Sequence, residues 1–239
     1  MSRPGAGELA RVGAAVTGVV ERVFATVARV HDAALRSVER EGLLAGRAVL
    51  PTAVRELLHE PGQLAVGLGL VVAPRPAEGL PLRLEWWQVD TERGDLRTLE
   101  PDLRPSSLGY YDYTATEWFD VPRRTGQRHV VGPFVDVHGT GRYVLTLTAP
   151  VVAGGQFVGV AGADVPVRRF ETHLLEALGS LPAPFVLLND EERVVLSTAP
   201  RFLVGSLLPP DTGTPGEGTP VAGAPWRLLM VRDGHRLAG

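Results

Sequence analysis

Residues 143–163 carry no charged side chain, and the run is long enough to cross a bilayer as a helix. Its middle argues against that. Pro150 and the Gly154-Gly155-Gln156 turn interrupt it, and Thr146 and Thr148 alternate with Leu145 and Leu147. Period-two alternation around a Gly-Gly step predicts two antiparallel strands and a tight turn. The pattern extends upstream. Residues 129–137 read as a strand, and His138-Gly-Thr-Gly reverses it. Strands over 129–137, 143–152 and 157–165 therefore form a three-stranded meander, and no membrane span is expected.

The N-terminal region has the opposite periodicity. Between 8 and 41, Leu9, Val12, Val16, Val19, Val23, Val27, Val30, Ala34 and Val38 recur every three or four residues, with charges between them. That predicts one long helix, about 50 Å at 1.5 Å per residue. Such a length exceeds the width of a small domain, so part of the stripe is expected to pack against a second copy of the chain. Gly42 to Gly46 breaks the helix, and 48–59 reads as a shorter one. Residues 64–72 and 82–89 read as strands, with Leu82, Leu84, Trp86 and Gln88 on one face of the second. A turn at 92–95 leads to a return strand over 96–99. Residues 117–125 and 167–178 read as helices. Pro182 and Pro184 mark a linker, after which 185–188, 193–197 and 226–231 read as strands. The Pro/Gly/Thr-rich stretch 209–220 is expected to be a mobile loop.

Composition excludes several classes. A net charge of −3 gives no basis for nucleic-acid binding. Without cysteine there are no disulfides or thiolate metal sites. The histidines at 31, 59, 129, 138, 173 and 235 lack metal-ligand spacing, and no Gly-x-Ser-x-Gly or phosphate-loop motif occurs. Neither an enzyme nor a cofactor is expected. Glu8 and Arg11 interrupt any apolar signal core, so a cytoplasmic location is expected; a fragment of a longer chain would leave an extracytoplasmic one open.

Chemistry concentrates between 110 and 164. Three of the four tyrosines and one of the four tryptophans lie within 110–118. Single carboxylates follow at Asp120, Asp136 and Asp164. Four pieces occur in order: Tyr111 seven residues before Trp118-Phe119, then Gly132-Pro133-Phe134-Val135-Asp136, then Gly159-Val160-Ala161-Gly162-Ala163-Asp164. Together they resemble the double-Cache sensor domains over about residues 8–200. The resemblance implies an α+β fold, a PAS-like antiparallel sheet with a long N-terminal helix and a small C-terminal β appendix, here a truncated second lobe. It divides the chain into a helix and connector at 1–60, a ligand-binding domain at 61–180 and the appendix at 181–239.

The resemblance also implies a ligand pocket formed by Trp86, Tyr111, Tyr113, Thr116, Trp118, Phe119, Asp120, Phe134, Asp136 and Asp164, with Asp164 gripping an amino group. Amino-acid-binding members place an arginine where this chain has Thr116, and tyrosines where it has Phe119 and Phe134. The balance shifts toward rings and carboxylates, which suits a small amine or quaternary ammonium. Closing the aromatic loop would shift the N-terminal helix in a dimer and signal to a separate output protein. Two alternatives stand beside this. One is a binding protein for an amino acid or small carboxylate, its cation supplied by Arg123, Arg124 or Arg142. The other is a ligand-free structural or dimerisation module. On bland readings, Asp136 is a turn residue and Asp164 caps the following helix.

Overall fold

A computed structural model of the chain describes residues 6–41, 51–75, 77, 79–90, 94–137, 141–180, 183–209, 218–231 and 237–238. The expected helix break at 42–46, the hairpin tip at 92–93, the 138–140 turn, the linker Pro182 and most of the stretch 209–220 lie outside them.

Helix α1 spans Ala6–Glu41. Val12, Val16, Val23, Val27, Val30 and Ala34 are all at most 1% exposed. The chain therefore covers its own stripe, and helix length alone no longer argues for a second copy. Helix α2 (Pro51–Leu58) turns Val54, Leu57 and Leu58 inward. Strands β1 (Gly67–Val72), β2 (Arg83–Val89) and β3 (Leu96–Thr98) form an antiparallel meander. A 3-10 turn at Tyr113–Ala115 leads into α3 (Glu117–Thr125), which ends on Gly126 at φ 67°. A left-handed glycine is a common helix stop.

The second meander is β4 (His129–Val135), β5 (Tyr143–Ala153) and β6 (Gln156–Pro166). The two meanders join through β1 and β6, giving the order β3-β2-β1-β6-β5-β4. Gly154 and Gly155, both at positive φ, make the β5–β6 turn that the sequence predicts. Helix α4 (Val167–Leu178) begins directly after β6.

The C-terminal residues make a sheet of order β11-β10-β7-β8, with β9 on β10. Its strands are β7 (Phe185–Leu188), β8 (Val194–Ser197), β9 (Thr219–Pro220), β10 (Arg227–Val231) and β11 (Leu237–Ala238). The end of the supposed mobile loop is thus strand: Thr219 and Pro220 pair with Leu228 and Arg227. By contacts the chain divides into two units. One holds 23–131 and 135–166, the other 1–22, 132–134 and 167–239. The architecture is α+β, as the pattern of elements implies.

Candidate functional site

Strand registers decide which side chains share a face, because directly paired residues of antiparallel strands point the same way. Gln88, Gly67, Asp164 and Thr146 form one row across β2, β1, β6 and β5. Trp86, Gly69, Gly162 and Thr148 form the next, and Leu84, Val71, Val160 and Pro150 a third. The opposite face, at Trp87, Leu68, Ala163 and Leu147, is buried and apolar. One face of this sheet therefore mixes acid, hydroxyl, amide and glycine, while its reverse is core.

The 3-10 turn and α3 pack against the mixed face. Tyr113 and Phe119 are fully buried and cluster with Val71, Trp86 and Val160. Their rings stand edge to face at 5.2 Å, and Phe119 meets Phe157 at 5.7 Å. The Tyr113 hydroxyl donates to the Val72 carbonyl at 2.6 Å and accepts from the Arg83 N–H at 2.9 Å. Thr148 Oγ1 donates to the Trp118 carbonyl at 2.7 Å, pinning α3 to β5. Upstream, Asp102 laces the loop together. Its carboxylate accepts two bonds from the Arg104 guanidinium at 3.1 Å each and one from Ser107 Oγ. Its carbonyl accepts from the Tyr111 N–H at 2.8 Å. The Arg104 and Ser107 bonds hold the Asp102 carboxyl well below the usual carboxylate range.

At the centre lies Asp164, 7% exposed. Thr146 Oγ1 donates to it at 2.7 Å. Burial raises its pKa from the ordinary 3.8 to about 7, with the Asp136 carboxylate adding to the rise. The Thr146 bond and the nearby Trp86 indole N–H act the other way. That N–H approaches the carboxylate and favours its charged form, yet it falls short of hydrogen-bond geometry. Tyr111, half-buried, is pushed up to about 12, first by burial and then by Asp136, against the Trp118 side chain bonded to it. Tyr111, Asp136 and Asp164 thus share one field. Both carboxylates lean on the same phenol, and desolvation falls hardest on Asp164. Burial and the neighbouring carboxylate together penalise the charged form of Asp164.

The expected residues fall into groups. Trp86, Tyr111, Trp118, Asp136 and Asp164 come together. Tyr113 and Phe119 are core anchors of the covering segment, held by packing and by the Tyr113 hydroxyl's backbone bonds. Thr116 precedes α3, its hydroxyl bonded to the Tyr113 carbonyl at 2.6 Å. Asp120 is paired with Arg123 and Arg124 along α3. That occupies the two α3 arginines considered as a carboxylate's partner. Phe134 is half-buried on β4 and belongs to the other unit. Asp136 is both turn and site: its N–H donates to the Arg142 carbonyl at 2.9 Å while its carboxylate acts on Tyr111 and Asp164. Asp164 ends no helix; it sits inside β6.

Sequence reasoning missed Thr146, Gln88 and the glycine floor. The floor has a specific use. A β-carbon on Gly67 would stand 2.7 Å from Trp86 Nε1, and one on Gly162 would stand 3.1 Å from Trp86 Cη2. The indole therefore lies flat across glycines in β1 and β6. Among the described residues no cluster of three His, Asp or Glu side chains fits a metal, and no helix is long and apolar enough to cross a membrane. A groove of about 410 Å³ in the other unit, lined by Arg11, Gly18, Arg22 and Leu178 among others, holds none of the expected site residues.

No protein-family model and no curated protein sequence matches the chain. Solved structures do. The extracellular domain of the histidine kinase soHK1S-Z6 aligns at TM-score 0.62 and 15% identity, covering 94% of this chain and 91% of that one. The ligand-binding domain of Pseudomonas fluorescens chemoreceptor CtaA, in complex with L-valine, aligns at 0.56 and 15%, covering 94% and 96%. Methyl-accepting chemotaxis protein X aligns at 0.53 and 16%, covering 82% and 71%. The fold is that of Cache-type sensor domains, as the order of motifs implied.

Proposed function

We propose that the chain is a ligand-binding sensor domain whose ligand is a small amine. The observation that carries this is the desolvated Asp164 beside a second carboxylate, Asp136, walled by Tyr111, Trp118 and Trp86. An ammonium pairs with Asp164, and each ring face adds about 0.5–2 kcal/mol of cation attraction. The CtaA domains bind L-valine and L-alanine, ligands that carry an ammonium group. Those ligands also carry a carboxylate. Here the position where the resemblance implies an arginine is Thr116, and Arg123 and Arg124 are engaged with Asp120. Asp164 is kept, and the arginine that the resemblance implies for a ligand carboxylate is replaced by Thr116. Occupancy would draw the Tyr111–Trp118 segment toward Asp164 and shift the balance of conformers, which the domain passes to a second copy through α1 and to a separate output protein.

A thermal-shift panel at pH 8 tests this. Amines at about 100 times their dissociation constant stabilise the chain by about 2.7 kcal/mol, and Asp164→Asn abolishes the shift. Small carboxylates leave the midpoint unchanged. Stabilisation by carboxylates but not by amines refutes the ligand class.

A further inference from the structure

Two buried donors on the mixed face lack a well-formed hydrogen bond. Trp86 Nε1 and Gln88 Nε2 are buried and make no hydrogen bond. Trp86 is 5% exposed, and both residues lie on the face of β2 that neighbours Gly67. A buried donor without an acceptor is costly, so native proteins seldom keep one unless something else supplies the acceptor. Geometry shows what stands beside the indole donor. The point where Gly67 lacks a β-carbon is 2.7 Å from Trp86 Nε1 and 3.0 Å from Asp164 Oδ2. Trp86 and Asp164 therefore flank the same glycine, and one small molecule that bridges the two side chains touches the indole donor and the acid together.

We propose, resting on the amine reading above, that the ligand is an ammonium compound with an uncharged oxygen acceptor two or three bonds from its nitrogen, as in an amino alcohol or amino-acid amide. The nitrogen faces Asp164 and the oxygen accepts from Trp86, with Gln88 as the second donor of that pole. The oxygen is uncharged for two reasons. Both donors are neutral, and Asp136 and Asp164 repel a carboxylate placed beside them. Glycine at 67 is a requirement of both side chains, which leave no room there for a β-carbon.

The test is isothermal titration of the full chain at pH 8 with ethanolamine and with n-propylamine, which replaces the hydroxyl by a methyl. Ethanolamine binds about tenfold tighter, the value of one net hydrogen bond. Trp86→Phe, which keeps a ring and removes the donor, cuts that ratio to about threefold or less, and Gln88→Met lowers it less. In the unaltered chain the Trp86 indole proton moves downfield with ethanolamine and stays in place with propylamine. Equal binding of the two amines overturns the acceptor pole and leaves the amine reading standing. Binding of neither overturns both. An undiminished ratio in Trp86→Phe and Gln88→Met, or a silent indole proton, assigns the preference elsewhere and sinks the proposal. Should Trp86→Phe fail to fold, Gln88→Met and the indole resonance decide it.

Discussion

Where β7 pairs with β10, at 185–187 and 228–230, the C-terminal sheet is apolar on both faces, whereas one face of the six-stranded sheet is not. In β7, Phe185, Val186, Leu187 and Leu188 are all fully buried, and Leu228, Leu229 and Met230 oppose them from β10. Every position there contributes packing, and the cluster around Val186, Leu188, Val194, Phe202 and Leu229 holds no charge. The six-stranded sheet gives the positions of one face to Asp164, Thr146, Thr148, Gln88 and three glycines, each a poorer source of stability than a Val or Leu. A sheet does not need such a face to fold, as its neighbour demonstrates. The stability forgone is what a ligand can restore.

That contrast makes the two regions respond to different substitutions. The apolar sheet should answer to volume. Leu229→Ala is expected to cost about 2–5 kcal/mol in urea denaturation, the range for a buried Leu that leaves a cavity. A loss under about 1 kcal/mol would mean the sheet repacks freely and the contrast is overstated.

The mixed face should answer to charge. With Asp164 raised in the folded chain, the folded state holds a proton that the unfolded state has released. Stability is therefore undiminished below about pH 4, falls as pH rises from 3.8 to about 7, and stays low above that. Asp164→Asn removes the fall and gains about 2–4 kcal/mol at pH 8. Denaturation of both proteins from pH 4 to 8 reads this directly; parallel pH profiles would contradict it. Amine affinity moves in the opposite sense, weakening below pH 7 as the acid is neutralised.

The smallest effect lies in the covering segment. Tyr113→Phe loses the bonds to Val72 and Arg83 and should cost about 1–3 kcal/mol while leaving the amine's affinity within about twofold. A large affinity loss would move Tyr113 from anchor to ligand contact.

The elements of this fold were legible where a residue's local chemistry decides the outcome. Gly154-Gly155 divided the uncharged run correctly, with Pro150 inside β5, and alternation along β2 put Trp86 and Gln88 on one face. The Asp120 partners were also there to be read, since arginines three and four residues on belong to the same helical surface. What stayed hidden depends on register between strands distant in sequence. Thr146 counted only as a pattern residue until β5 paired with β6 and brought it to Asp164. Gly67 stood in an apolar run with no alternation to assign its side. Tyr111 and Tyr113 looked equivalent, and the 3-10 turn that begins at Tyr113 sends that ring to the core while Tyr111, ahead of it, is half-buried.

The lacing of the 102–107 loop by Asp102 has a practical corollary. Its carboxyl keeps its charge in acid that neutralises Asp164. Mild acid therefore disarms the grip without unpicking the stitching that leads to Tyr111. A modest drop in pH would change the charge of the site and leave the loop beside it intact.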